Sequence, residues 1–80
     1  MNKITVLNDF DGDLSALYVN GKFIYSNHSI GIDDIVGYTP IELIEDIDLS
    51  EVPGWENFSY SDFPEGQTLD EFLESIEKNK

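Results

Sequence analysis

Apolar positions alternate along the first quarter of the chain and take on longer, helix-like spacing after it. Lys3 to Leu7 is rich in β-branched residues, which predicts a first strand ending in the turn-rich Asn8-Asp9-Phe10-Asp11-Gly12-Asp13. Leu14 to Val19 predicts a second strand. Asn20-Gly21 sits between two apolar runs and tolerates positive φ at both positions, so a type I′ hairpin should lead into a third strand over Lys22 to Ser26. In that register Tyr18 faces Phe23 and Ala16 faces Tyr25 on one side. Val19 faces Lys22 and Leu17 faces Ile24 on the other, which leaves both faces partly apolar.

From Ser29 the period changes. Ile32, Ile35 and Val36, with Gly37 as a stop, predict a short helix or a single turn. Thr39-Pro40-Ile41-Glu42 reads as a capping box with proline at the first helical position. It predicts a second helix with Ile41, Leu43, Ile44 and Ile47 inward and Glu42, Glu45 and Asp46 outward. Asp48 to Gly66 holds two prolines, two glycines and the aromatics Trp55, Phe58, Tyr60 and Phe63. It predicts an irregular, aromatic-anchored loop, with a short edge strand at Asn57 to Tyr60. A second capping box, Thr68-Leu69-Asp70-Glu71, opens a final helix with Leu69, Phe72, Leu73 and Ile76 inward, and residues 78–80 should fray. The expected fold is one small α+β domain over residues 1–80, a three-stranded antiparallel meander packed against two or three short helices.

Charge changes the picture most. The 80 residues carry 17 Asp and Glu against 4 Lys and Arg, a net charge of −13, and between Phe23 and Glu77 there are fourteen acids and no Lys or Arg. One-signed charge repels itself and destabilises the compact state, so an excess of this size asks for a function. It argues against direct binding to nucleic acid or anionic membrane, both of which reward Lys and Arg. The natural partner is basic. There is no Cys, which excludes disulfides, thiolate metal sites and cysteine nucleophiles. Met1 to Asn8 has neither the length nor the pattern of a signal peptide or membrane span, so a cytoplasmic location is expected.

Asp9-Phe10-Asp11-Gly12-Asp13 after the apolar run Ile4 to Leu7 resembles the first motif of haloacid-dehalogenase-type phosphotransferases. The resemblance implies Asp9 as nucleophile, Asp11 as general acid and a Mg²⁺ ion. Asp13 stands where that family has threonine, the rest of the chain is too short for a doubly wound sheet, and the negative field repels phosphate. The segment is therefore expected to be an acidic turn, and the protein not an enzyme. Asp9, Asp11 and Asp13 alternate as a calcium loop begins, but Leu14 and Asn20 occupy the places of its glycine and bidentate glutamate. Only weak, nonspecific cation binding is left open. His28, the single histidine, is expected to end a strand, and no cofactor or specific metal site is expected.

What remains is the carboxylate pattern. On helices, acids three and four residues apart stand about 5–6 Å from one another, so Glu42, Glu45 and Asp46, and Asp70, Glu71, Glu74 and Glu77, would each form a ladder of negative charge. A protein groove built for phosphates would accept such ladders. Trp55, Phe58 and Tyr60, and Tyr18 on the hairpin, are candidate anchors that would slow dissociation. The competing structural role is that the loop rings cover one side of the sheet, and an exposed member of the Tyr18–Phe23 pair would equally seed a homodimer.

Two resemblances bear on this. Leu17-Tyr18-Val19-Asn20-Gly21-Lys22-Phe23-Ile24-Tyr25 with His28-Ser29-Ile30 resembles a group of short uncharacterised bacterial and phage proteins, which implies no activity. The order of hairpin, His28-Ser29-Ile30 and short acidic helix is similar to small phage inhibitors of uracil-DNA glycosylase, which are acidic DNA mimics. The expected function is a phage-type acidic nucleic-acid mimic that blocks the DNA or RNA channel of a host defence, repair or transcription protein. The alternative is an acidic interaction module, antitoxin-like, immunity-like or an adaptor, that binds a basic partner without copying nucleic acid.

Overall fold

The computed structural model describes residues 1–60 and 62–79. Its centre is a four-stranded sheet of β1 (Asn2–Asp9), β2 (Leu14–Val19), β3 (Lys22–Asn27) and β4 (Ile41–Asp48), in the spatial order β3-β2-β1-β4. The three-stranded meander forms as the alternation predicts, and Asn20 and Gly21 both adopt positive φ in the hairpin turn. Its register departs at one place. Tyr18 pairs with Phe23 and Val19 with Lys22, but a bulge at Ile24 sets Leu17 against Tyr25 and Ala16 against Ser26.

The larger correction concerns 41–48, which is a strand and not a helix. It pairs parallel to β1, with Glu42 bulged out and the register unbroken from Lys3↔Leu43 to Asn8↔Asp48. The reason lies in β1, whose Ile4, Thr5 and Leu7 are sealed on both sides of the sheet; a strand buried this way needs a pairing partner on each edge. The three isoleucines of 41–48 suit that role as well as they suit a helix, and the distant partner decides. Glu42, Glu45 and Asp46 therefore do not make a helical ladder. The capping box expected at Thr39 does not form, and Pro40 instead offers its carbonyl to the Asn2 amide at 2.9 Å.

Two layers cover the sheet. On one face α2 (Leu69–Glu77) and the aromatic loop close over Leu7, Ala16, Tyr18, Leu49, Phe63, Phe72 and Ile76. On the other, α1 (Ile32–Ile35) and a 3₁₀ turn (Val36–Tyr38) cover Ile4, Leu17 and Val19 with Ile35. The loop contains 3₁₀ turns at Leu49–Glu51 and Trp55–Asn57, and the edge strand expected at Asn57 to Tyr60 is absent. The capping box of α2 forms as expected. Thr68 N donates to Glu71 Oε1 at 2.9 Å, Glu71 N donates to Thr68 Oγ1 at 3.2 Å, and Leu69 N ties the helix start to Gly21 O at 2.8 Å. Lys78 caps the helix; the fraying expected of 78–80 falls partly on Lys80, outside the described residues. No helix among the described residues is long and apolar enough to cross a membrane.

Candidate functional site

Most of the carboxylates singled out by the sequence stand on two elements lying side by side. A cleft of about 380 Å³ joins Glu42 at the start of β4 to Leu69 and Asp70 at the start of α2, past Lys3 and Asn20. A groove of about 340 Å³ joins Asp46, Ile47 and Asp48 at the end of β4 to Leu73 and Glu77 at the end of α2, with Val52 and Pro53 in its wall. Strand and helix thus run in the same direction; the groove at their far ends is walled by Ile47, Val52, Pro53 and Leu73, and the cleft at their starts is mainly polar, with Lys3 in it.

The two elements place their acids differently. In α2, Phe72 and Ile76 are sealed into the core. At 100° per residue Asp70 and Glu77 then fall on the flank next to Leu73, towards β4, while Glu74 stands opposite the core. Glu71 falls on the far flank, and its carboxylate is held by the capping box. In β4 the spacing is two. After the bulge, Leu43, Glu45 and Ile47 share the face of Lys3, Thr5 and Leu7, while Ile44, Asp46 and Asp48 share the face of Ile4, Val6 and Asn8. The β4 acids therefore point to both sides of the sheet's rim.

Almost nothing offsets this charge. Among the described residues the one basic side chain near a carboxylate is His28, with Nδ1 3.6 Å from Asp13 Oδ2, and no Lys or Arg reaches a carboxylate. Asp46 accepts from Asn8 Nδ2, and Asp48 accepts from Ser50 N at 3.0 Å and Ser50 Oγ at 2.8 Å. Glu42, Glu45, Asp70, Glu74 and Glu77 are exposed and make no side-chain hydrogen bond among the described residues. Asp11, Asp33, Glu51, Glu56 and Glu65 are likewise exposed and unbonded among the described residues, but they lie off β4 and α2.

The aromatic anchors are mostly committed to the core. Trp55, Phe58 and Tyr60 stack on one another with centroids 5.3 to 6.0 Å apart, and Phe58 and Tyr60 meet Phe72 edge-on. Burial, and then a hydrogen bond to Asp9, hold the Tyr60 phenol proton well above its usual range. Tyr18 is 0% exposed, and burial pushes its phenol up to about 12. A sealed ring cannot anchor a partner, so Tyr18 is removed from the candidate set. Phe23, the less buried member of the Tyr18–Phe23 pair, packs edge-to-face on Tyr18 at 5.6 Å.

Two residues missed as surface groups take that place. Leu43 is 45% exposed and Ile44 53%, amid Glu42, Glu45 and Asp46. Strict alternation does not reveal them, because Glu45 falls between Leu43 and Ile47 and the bulge at Glu42 sets Ile41 on the opposite face.

The Asp9-to-Asp13 turn borders a hollow of about 530 Å³ with Ser50, Trp55, Glu56 and Phe58, in which one carboxylate is already committed to the fold. Asp9 is buried, and its carboxylate accepts from Gly12 N at 3.0 Å and from the Tyr60 hydroxyl. A Cβ at Gly12 would collide with that carboxylate. No cluster of three potential metal ligands occurs among the described residues. No protein-family model matches the chain, and neither a curated protein nor a solved structure does.

Proposed function

We propose that the protein is a stoichiometric inhibitor of a nucleic-acid-binding protein, occupying its basic DNA or RNA channel with the carboxylates of β4 and α2. One observation carries this reading. Glu42 and Asp70 line one cleft between β4 and α2, Asp46, Asp48 and Glu77 line a groove at the other end of the same pair, and although Lys3 stands in the first cleft, no Lys or Arg comes within ion-pair distance of a carboxylate among the described residues. Duplex nucleic acid likewise presents two rows of negative charge across a groove, and channels built for phosphate reward that pattern. The weak likeness to uracil-DNA glycosylase inhibitors leans the same way, towards a phage protein acting on host defence, repair or transcription. Charge would speed encounter, and slow release would come from Leu43 and Ile44 more than from the enclosed rings.

The second reading is an interaction module that binds a basic partner without copying nucleic acid. It is favoured by the same Leu43 and Ile44, which give the acids an apolar centre. Competition separates the two. The tagged protein is used to capture its partner from lysate, and duplex and single-stranded nucleic acid are then titrated in. Displacement of the inhibitor supports mimicry. A ternary complex holding nucleic acid and inhibitor together removes it and leaves the module.

A further inference from the structure

The outermost strand is unpaired. β4 bonds to β1 on one side, and among the described residues no segment pairs with the other. Every second residue of a strand turns its N–H and C=O away from its partner, so this rim carries a row of open donors and acceptors. The opposite edge of the sheet is guarded. β3 begins under a bridge between Lys22 and Thr68, carries that lysine, and is bent by the bulge at Ile24. From Leu43 to Asp48, β4 has no Lys, Pro, Gly or bulge, and it exposes Leu43 and Ile44.

Charge decides what could pair there. A second copy adding through its own β4 would set Glu42, Glu45 and Asp46 against the same residues, and like charges on neighbouring strands repel in either orientation. An extended segment bearing Lys or Arg meets the opposite situation. On one face its side chains would lie beside Glu45 and within the acidic flank of α2, and on the other beside Asp46 and Asp48. The acids thus deter self-pairing and admit a basic strand, and both effects sharpen specificity.

We propose that the outer edge of β4, Leu43 to Asp48, is a strand-addition site for an extended segment of the partner in which Lys or Arg alternates with apolar residues. Six residues of strand offer about 20 Å of edge. The proposal rests on the partner being basic, and it adds that backbone pairing, not charge alone, holds it.

The test uses a capped eight-residue peptide alternating Lys and Val, and a version N-methylated at every amide, so that neither edge can donate. The expected result is selective shifts of the 42–48 amide resonances. The methylated peptide should bind at least about tenfold more weakly, because backbone donation to β4 is lost while its charge is kept. Equal binding of the methylated and unmethylated peptides, or shifts spread over α2 and the loop, overturns strand addition while leaving a basic partner intact. A dimer in sedimentation with β4 amides protected from exchange overturns it in favour of a second copy. Loss of the nucleic-acid competition with peptide pairing preserved would remove mimicry alone.

Discussion

Tyr60 donates a hydrogen bond from its phenol to Oδ2 of Asp9 at 2.5 Å, across 51 residues of sequence. Asp9 ends β1 with 8% of its surface exposed, and Gly12 N supplies the second donor at 3.0 Å. The pair fastens the aromatic loop to the sheet. Asp9→Ala should cost about 2–3 kcal/mol, because two donors lose a charged acceptor, and Tyr60→Phe about 1–2 kcal/mol. Denaturant unfolding of both variants and their double mutant should give a coupling of more than about 0.5 kcal/mol. Additive losses would mean the contact contributes nothing. Gly12→Ala should also destabilise, since its methyl displaces the carboxylate.

The Tyr18 hydroxyl is buried without a hydrogen-bond partner among the described residues. A phenol desolvated in this way costs stability, while its ring fills core volume. Tyr18→Phe should therefore stabilise the protein by up to about 1 kcal/mol, and Tyr18→Ala should lose about 3–5 kcal/mol to the cavity. A Tyr18→Phe variant that melts lower than the parent would show that the hydroxyl is bonded.

The hairpin and α2 were legible because local chemistry settles them: Asn20-Gly21 selects its turn, and Thr68 with Glu71 closes a cap. Residues 41–48 were misread because their apolar spacing fits both periods. What chooses between them is the open edge of β1, more than thirty residues away. That one misassignment also hid the site's apolar centre, since Leu43 and Ile44 count as inward on a helix and are exposed on an edge strand. The α2 acids and the cap that takes Glu71 were legible, but not that Asp70 and Glu77 lie beside β4.

Alkali should unfold the protein through its tyrosines. The phenols of Tyr18, held by burial, and Tyr25, held first by a hydrogen bond to Asp34, are each raised from 10.0 to about 12, and that of Tyr60 is also raised. The folded state keeps these protons while the unfolded chain gives them up near pH 10. Their contribution is complete below that pH and is lost as pH rises towards 12. Asp34 acts in the acid range with the opposite sign. Hydrogen bonds from Tyr25 and Gly31 lower its pKa from 3.8, so its contribution is present above that value and is lost as pH falls through the lowered one. Thermal melts between pH 9 and 12 should fall, with tyrosinate absorbance appearing in step with unfolding. Gradual ionisation from pH 10 with unchanged melting would contradict this.

Binding and stability should respond oppositely to the carboxylates of β4 and α2. Glu45 and Glu77 are exposed and unpaired in a field of like charge, so each is held in the fold against repulsion. Glu45→Lys or Glu77→Lys should raise stability by about 0.3–1 kcal/mol, and added salt should raise the melting temperature of the parent more than that of the double variant. The same substitutions should weaken capture of a basic partner, because they place a cation where one is to be received. Glu71→Lys should do the reverse. Its carboxylate closes the α2 cap away from β4, so stability should drop by about 1 kcal/mol with little change in capture. Equal loss of binding from Glu71→Lys and Glu77→Lys would show that net charge, rather than the flank facing β4, is what the partner reads.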